Sequence, residues 1–236
     1  MHETYGVSTA INVGDYLIGV GYNLVSCKSA ALGAETAADI LRILSDAHLR
    51  LSEGQGAELL WRDALDKQLT SQQALEIYAL KTAPAFEAAL LSGLRCAGPI
   101  QEHLDSLQEF CRLVGMGFQI LNDLKDWRGD DDNKLEAGLD TLGGRPTLLW
   151  ALALERLPED TRGELIQIIH AELPNHERVV LVRSWYEQAE VFALARDMVD
   201  QFEVQALQIA DQLRPHALRE LLRYLACLVL ERSVSA

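Results

Sequence analysis

Residues 104–127 read LDSLQEFCRLVGMGFQILNDLKDW. Within them Leu107, Phe110, Cys111, Val114, Phe118 and Leu121 recur at three- and four-residue spacing, the period of an α-helix with an apolar face. The same period runs outward in both directions, and alternating β-branched runs bounded by turn residues are essentially absent. The short stretch Val179–Val182 reads as the entrance to the helix that follows it. The pattern predicts an all-α fold with helices over 8–30, 35–50, 55–66, 71–95, 100–127, 145–156, 160–171, 178–212 and 215–232. Pro158 followed by Glu159 and Asp160 marks a helix start, because an absent amide costs nothing in the first turn and acids suit the positive end of the helix dipole. Pro215 marks another.

The chain has 236 residues, 49% of them apolar and 24% charged, with six Pro and sixteen Gly. That composition supplies a core and excludes disordered and collagen-like classes. No stretch resembles a flexible linker and no fixed-period repeat is present, so residues 1–236 read as a single domain. The 35 acidic and 21 basic residues give a formal charge of -14, which repels a nucleic-acid backbone or an anionic membrane surface. The longest apolar run near the C-terminus, LACLVL, is far short of the roughly 20 residues of a membrane span, and the N-terminus has no secretory pattern. Cys27, Cys96, Cys111 and Cys227 form no C-x-x-C pair and sit among apolar neighbours, as reduced buried thiols do. Together these features predict a soluble, cytoplasmic protein.

Chemistry concentrates in a few places. On a helix turning 100° per residue, Gln119, Asn122, Asp123, Asp126 and Asp130 project into an arc of roughly 100° beside the apolar face. Carboxylates stacked in this way can share a hard cation, and Mg²⁺ usually takes one or two of them together with waters and substrate phosphate oxygens. Such an arc is also what a solvated face with an acidic helix end looks like. The loop that follows, RGDDDNKLEAGLDTLGG at 128–144, is long and acidic, as functional loops often are. In QQALEIYALKTAPAFEAALLSGL at 72–94, the helical pattern persists on both sides of Pro84, whose ring predicts a kink near Leu80. Lys81 and Thr82 lie on that turn and offer a cation and a hydroxyl to a phosphate. Gly54, Gln55 and Glu58, and likewise Gly14 and Asp15, place polar groups in helices that otherwise look buried, where each needs a partner. Gly14–Asp15 reads as a satisfied core contact. Gly19 and Gly21 lack the rest of a dinucleotide fingerprint, GGRPT lacks phosphate-loop spacing, and the six His show no zinc pattern.

Taken in order, GDYL at 14–17, EGQ at 53–55, LKT at 80–82, FQILNDLKD at 118–126 and RPTL at 145–148 resemble the successive landmarks of the trans-polyprenyl diphosphate synthases. Ser8-Thr9-Ala10 before GDYL and the segment LRPHALRELLRYLACLVLER at 213–232 also resemble that family, so the likeness covers nearly the whole chain. It implies an isoprenoid-synthase-like helical bundle around a central cavity, here lacking the N-terminal helices. It further implies a prenyltransferase that uses Mg²⁺ to ionise an allylic prenyl diphosphate and condenses it with isopentenyl diphosphate, in a homodimer. By this resemblance Lys81 and Thr82 hold and activate the diphosphate, Gln119 faces the developing carbocation, and Gln55, Lys134 and Arg145 bind substrate. Asn122, Asp123 and Asp126 occupy the second aspartate-rich metal motif.

Two departures from the family pattern bear on activity. The family's first aspartate-rich motif would precede the segment resembling residues 1–21, so this chain by itself is expected to show little prenyl transfer. Asn122 stands where the family usually has aspartate. A non-catalytic partner subunit of such a synthase, or a terpene cyclase on the same scaffold, are the alternatives that these departures and the fold leave open.

Overall fold

In a computed structural model, residues 1–128 and 137–230 are described. They form thirteen α-helices and one 3₁₀ turn, with no strand among the described residues. In chain order the helices are α1 (His2–Tyr5), α2 (Val7–Cys27), α3 (Ser29–Leu32), α4 (Ala34–Asp63), α5 (Ser71–Lys81), α6 (Ala83–Ala97), α7 (Leu104–Asp126), α8 (Leu139–Leu142), α9 (Leu148–Arg156), α10 (Glu159–Ile168), α11 (Asn175–Gln188), α12 (Val191–Gln212) and α13 (His216–Leu230).

The stretch at 104–127 becomes the axis of the bundle. Helix α7 packs against α5, α6, α9, α12 and α13, so its buried residues run well round the helix, from Leu107 and Phe110 through Val114 to Ile120 and Leu124. Helix α9 is apolar on all sides, and every residue from Leu148 to Leu154 is buried, as expected of a helix with no solvent face. Thr147 caps it, accepting from the Trp150 amide at 3.2 Å. Thr70 and Gln73 form a reciprocal capping box at the start of α5.

Several boundaries differ from those the sequence predicts. Helix α4 runs unbroken through Gly54 and Gly56, where two helices are predicted, because Gly54 is there for close packing and not as a stop. A Cβ on Gly54 would lie 2.6 Å from the Leu80 carbonyl carbon. The predicted kinked helix 71–95 is two helices parted at Thr82. The predicted helix 178–212 is also two, parted at Ala189–Glu190, where Glu190 takes a left-handed conformation with φ 57°. Such a φ interrupts a right-handed helix, and no local sequence signal announces it. The predicted loop 128–144 contains α8.

Two environments differ as well. Cys27 and Cys96 are exposed, and only Cys111 is fully buried; its thiol is pushed up to about 12 by burial and by nearby Glu87. All four cysteines are free. Gly14 and Asp15 lie on α2, which has no buried residue, so they make no core contact. Among the described residues no helix is long and apolar enough to cross a membrane.

One buried polar tie fastens three helices. Asp123 on α7 is 2% exposed, and its Oδ2 accepts from the Tyr78 hydroxyl of α5 and, at 3.3 Å, from the Leu148 amide of α9. The same amide donates to the Tyr78 oxygen at 2.7 Å. Burial pushes the Asp123 carboxyl up to about 7, against the pull of the Tyr78 and Leu148 hydrogen bonds; Tyr78, desolvated and facing that carboxylate, is raised well above its ordinary value.

Gly54→Ala is expected to cost about 1–3 kcal/mol, because the new methyl meets backbone that cannot move aside. Gly56→Ala has nothing within 4 Å of the new Cβ and should gain about 0.5–1 kcal/mol in a helix interior. Urea unfolding of the two variants checks the contrast, and equal effects would refute the close-crossing account. The Asp123 proton is held more tightly in the folded chain than in the unfolded one, where the carboxyl titrates near 3.8. Its contribution to stability is therefore full below about pH 4 and is lost as pH rises to about 7. Relative to the unaltered chain, Asp123→Asn should gain stability across that window. A difference in urea midpoint that stays flat from pH 4 to 7 would contradict this.

Candidate active site

The break between α5 and α6 lies where three backbones nearly touch. Gly54 of α4 faces Leu80 and Lys81, and Gly115 of α7 faces Ala83, where an added Cβ would lie 2.7 Å from the Ala83 Cα. A side chain at either glycine would force the helices apart. Thr82 has φ -125° and ψ -47°, outside the helical range. Pro84 falls in the first turn of α6, where its missing amide leaves nothing unsatisfied. The sequence therefore ends one helix and starts another at the point where α4 and α7 can approach most closely.

That crossing fixes the side chains around it. The half-buried Lys81 ammonium is ion-paired with Glu58, a largely buried residue one turn beyond Gly54 on α4. Lys81 and the exposed Gln55 line the same open groove of about 490 Å³, together with Leu51, Ser52, Gly56 and Leu59. On the α7 side, the Thr82 hydroxyl donates to Gln119 Oε1 at 3.2 Å. Asp123, one helical turn beyond Gln119 on α7, is bonded in turn to Tyr78. Phe86 and Phe118 meet edge to face at 5.8 Å between centroids and give α6 and α7 an apolar wall beside Gln119.

A second group forms at the C-terminal end of α7. Asp126 Oδ2 accepts from the Asp140 amide at 3.3 Å. Asp140 pairs through its carboxylate with Arg145 at 2.7 Å, and Arg145 is separated from the Thr147 cap of α9 by Pro146 alone. The RPT turn is thus tied to the last turn of α7 through Asp140.

The residues singled out from the sequence separate into distinct settings. Thr82 and Gln119 are in contact, Asp123 is bonded to Tyr78 and α9, and Lys81 pairs with Glu58 on the other flank, in a groove it shares with Gln55. Asn122 is exposed, Asp126 is half-buried, and Arg145 is joined to Asp126 only by way of Asp140. Lys134 and Asp130 lie outside the described residues. The predicted arc of carboxylates is split: Asp123 turns inward to Tyr78 and α9, which leaves Asn122 and Asp126 on the accessible side. The sequence reading omitted two contributors, Tyr78 and Asp140, and the partner of a third, Glu58. Glu58 was visible as a polar residue in a buried helix, although its partner was not, and Tyr78 and Asp140 carried no signal.

The accessible donors, an amide oxygen and a carboxylate on successive turns, are hard oxygens of the kind Mg²⁺ takes alongside phosphate. Among the described residues no group of three or more His, Cys, Asp or Glu is placed to hold a metal ion by itself. The set fits a cation completed by a phosphate ligand, and it does not fit a closed protein cage.

The chain is 30% identical over 171 residues to the short chain isoprenyl diphosphate synthase of Methanocaldococcus jannaschii, covering 72% of this chain and 50% of that protein. It is 28% identical over 170 residues to the enzyme of the same name from Methanothermobacter thermautotrophicus, covering 72% and 51% respectively. It spans about half the length of these relatives. The fold superimposes on the crystal structure of geranylgeranyl pyrophosphate synthase from Corynebacterium glutamicum complexed with isoprenyl diphosphate and magnesium, with a TM-score of 0.81 and 23% identity over 98% of this chain and 65% of that one. The polyprenyl synthetase family itself matches residues 1–187, and this chain belongs to that family.

Proposed function

We propose that the chain carries the diphosphate-ionising side of a trans-prenyltransferase, which condenses an allylic prenyl diphosphate with isopentenyl diphosphate. The observation that carries this reading is the Lys81–Thr82 break, clamped by Gly54 and Gly115, with Thr82 in contact with Gln119. Ionising an allylic carbon-oxygen bond leaves pyrophosphate on one side and a carbocation on the other, so the site needs positive charge and polar oxygen on opposite sides of one gap. Lys81 offers the first and Gln119 Oε1 the second. Glu58 holds the Lys81 ammonium at the edge of the groove, where an incoming phosphate would share it. The Phe86–Phe118 pair adds apolar surface beside Gln119. Mg²⁺, when bound, supplies charge against the departing pyrophosphate. Asn122 and Asp126 are the residues that would hold it, with Asp123 behind them, while Arg145 and Lys134 would add cationic contacts to the substrate.

The same reading places the protein in the cytoplasm as a homodimer. Helix α2 leaves Ile11, Tyr16, Leu17 and Leu24 exposed and buries none of its residues; a partner copy would cover such a face. Asn122 also favours a second reading, a partner subunit that keeps the fold and binds diphosphate without turning it over, because a neutral amide holds a cation less firmly than a carboxylate.

Lys81→Ala should weaken binding of inorganic pyrophosphate with Mg²⁺ by tenfold or more, since a charge-assisted contact contributes about 1.5–3 kcal/mol. That variant leaves Glu58 buried without its cation, so Lys81→Met combined with Glu58→Gln is the folded control. Calorimetric titration reads both, and an unchanged affinity in a folded variant would sink the assignment. Asn122→Asp should tighten Mg²⁺-dependent pyrophosphate binding by about tenfold, the order of one added charge-assisted contact. If the affinity stays the same at every Mg²⁺ concentration, Asn122 does not face the metal.

A further inference from the structure

Helix α7 ends at Asp126, and no further turn supplies amides to the carbonyls of Asp126 and Trp127. Two distant parts of the chain supply donors to them. The Gly138 amide donates to the Asp126 carbonyl oxygen at 3.1 Å, and the half-buried Arg183 guanidinium of α11 donates to the Trp127 carbonyl oxygen. The same guanidinium stands over the Trp127 ring, 5.5 Å from its centroid, so one cation serves both the negative end of a helix and an aromatic face. Trp127 is 3% exposed, with Tyr186 and Phe192 against it at 5.0 and 5.9 Å between centroids. Gly138 brings the chain back onto this ring. It has φ 74°, and a Cβ there would lie 3.0–3.3 Å from three ring carbons, so only glycine lets the backbone settle so close. Helix α8 follows at once, and Thr141 Oγ1 lies 3.5 Å from the Tyr186 hydroxyl of α11.

We infer that Arg183 and Trp127 are positioning residues that aim the Asp126 carboxylate, by seating residues 138–140 on the end of α7. Asp126 is held at two atoms by this returning chain: its carbonyl oxygen by the Gly138 amide, and its Oδ2 by the Asp140 amide at 3.3 Å. The second bond depends on where Gly138 rests, and Gly138 rests on a ring that Arg183 fixes. The demand on Asp126 is high, since Asn122 brings no charge and Asp126 is the one carboxylate of that accessible pair. Arg183 acts through Trp127 and not on a ligand. The inference deepens the prenyltransferase reading and rests on it for the metal and the diphosphate, whereas the seating of 138–140 on Trp127 can be tested without either.

The test uses the full chain with Arg183→Met, which keeps an apolar stem but removes the charge and the donors, and Arg183→Lys, which keeps a cation. Amide hydrogen exchange reads the seating. In Arg183→Met the Gly138, Asp140 and Leu142 amides should exchange tenfold faster or more, while the α7 amides from Leu113 to Gly117 keep their rates. Arg183→Lys should retain most of the protection. Equal acceleration throughout the chain, which marks a purely structural role, would overturn the inference, as would unchanged exchange at 138–142. Calorimetric titration of inorganic pyrophosphate at graded Mg²⁺ concentrations reads the consequence for Asp126. Arg183→Met should raise the Mg²⁺ concentration needed for half-maximal binding several-fold and leave binding without Mg²⁺ unaltered, with Arg183→Lys again close to the unaltered chain. In an Asp126→Asn background Arg183→Met should add nothing to the Mg²⁺ requirement, since both act through one carboxylate. An unchanged Mg²⁺ requirement in a folded Arg183→Met, equal losses with and without Mg²⁺, or a loss that adds fully to that of Asp126→Asn would each refute the positioning role. If the unaltered chain binds no pyrophosphate at any Mg²⁺ concentration, the prenyltransferase reading fails instead, and hydrogen exchange decides the seating on its own. Should Arg183→Met fail to fold, Trp127→Phe, which keeps an aromatic ring in the core and withdraws it from Gly138, carries the test with the same two readouts.

Discussion

Two helices can approach each other's backbone only where neither puts a Cβ in the way. Gly54 and Gly115 remove that obstacle on either side of residues 80–83, so α4 and α7 close on the chain where α5 gives way to α6. From this crossing follow the Lys81–Glu58 pair on one flank and the Thr82–Gln119 contact on the other. Without it, Lys81 and Thr82 would have no reason to meet Glu58 on α4 and Gln119 on α7.

Charge is balanced locally at almost every step. Lys81 is matched by Glu58, and Arg145 by Asp140, whose own amide reaches Asp126. In a chain of net charge -14, these pairings keep cations in place beside an acidic surface until an anion arrives. On the proposed reading, a diphosphate reaching Lys81 would share it with Glu58, and a divalent metal held by Asn122 and Asp126 would add the charge that the paired cations cannot give up. Behind this, the Asp123–Tyr78–Leu148 tie is neutral toward ligand and fixes geometry, which accounts for a carboxylate in an acidic motif pointing away from solvent.

Much of this was readable in the amino-acid order. The three- and four-residue spacing around Phe110 and Val114 specified helices, and it did so because a helix buried on one side must repeat its apolar residues with the helical period. The pairing of LKT with Pro84 marked a disturbed helix, since proline removes a hydrogen bond wherever it falls. The polymer chemistry of each segment was sufficient for these conclusions, and so was the succession of short motifs for the family, because each motif is local.

What the sequence could not contain was direction and partnership. Residues 119–126 suggest one acidic arc, yet the crowding of α5 and α9 around α7 turns Asp123 inward and leaves Asn122 outside. Gly54 fell between two predicted helices, and only the nearness of the Leu80 and Lys81 backbone identified what it approaches. Glu190 breaks a long helical pattern with a left-handed residue that no local preference would select. The sequence by itself determined the helices, their apolar faces and the family. The tertiary structure decided which polar residues of those helices meet and which way each one points, because a side chain's burial and its hydrogen-bond partner depend on the helices packed against it, and those come from distant parts of the chain.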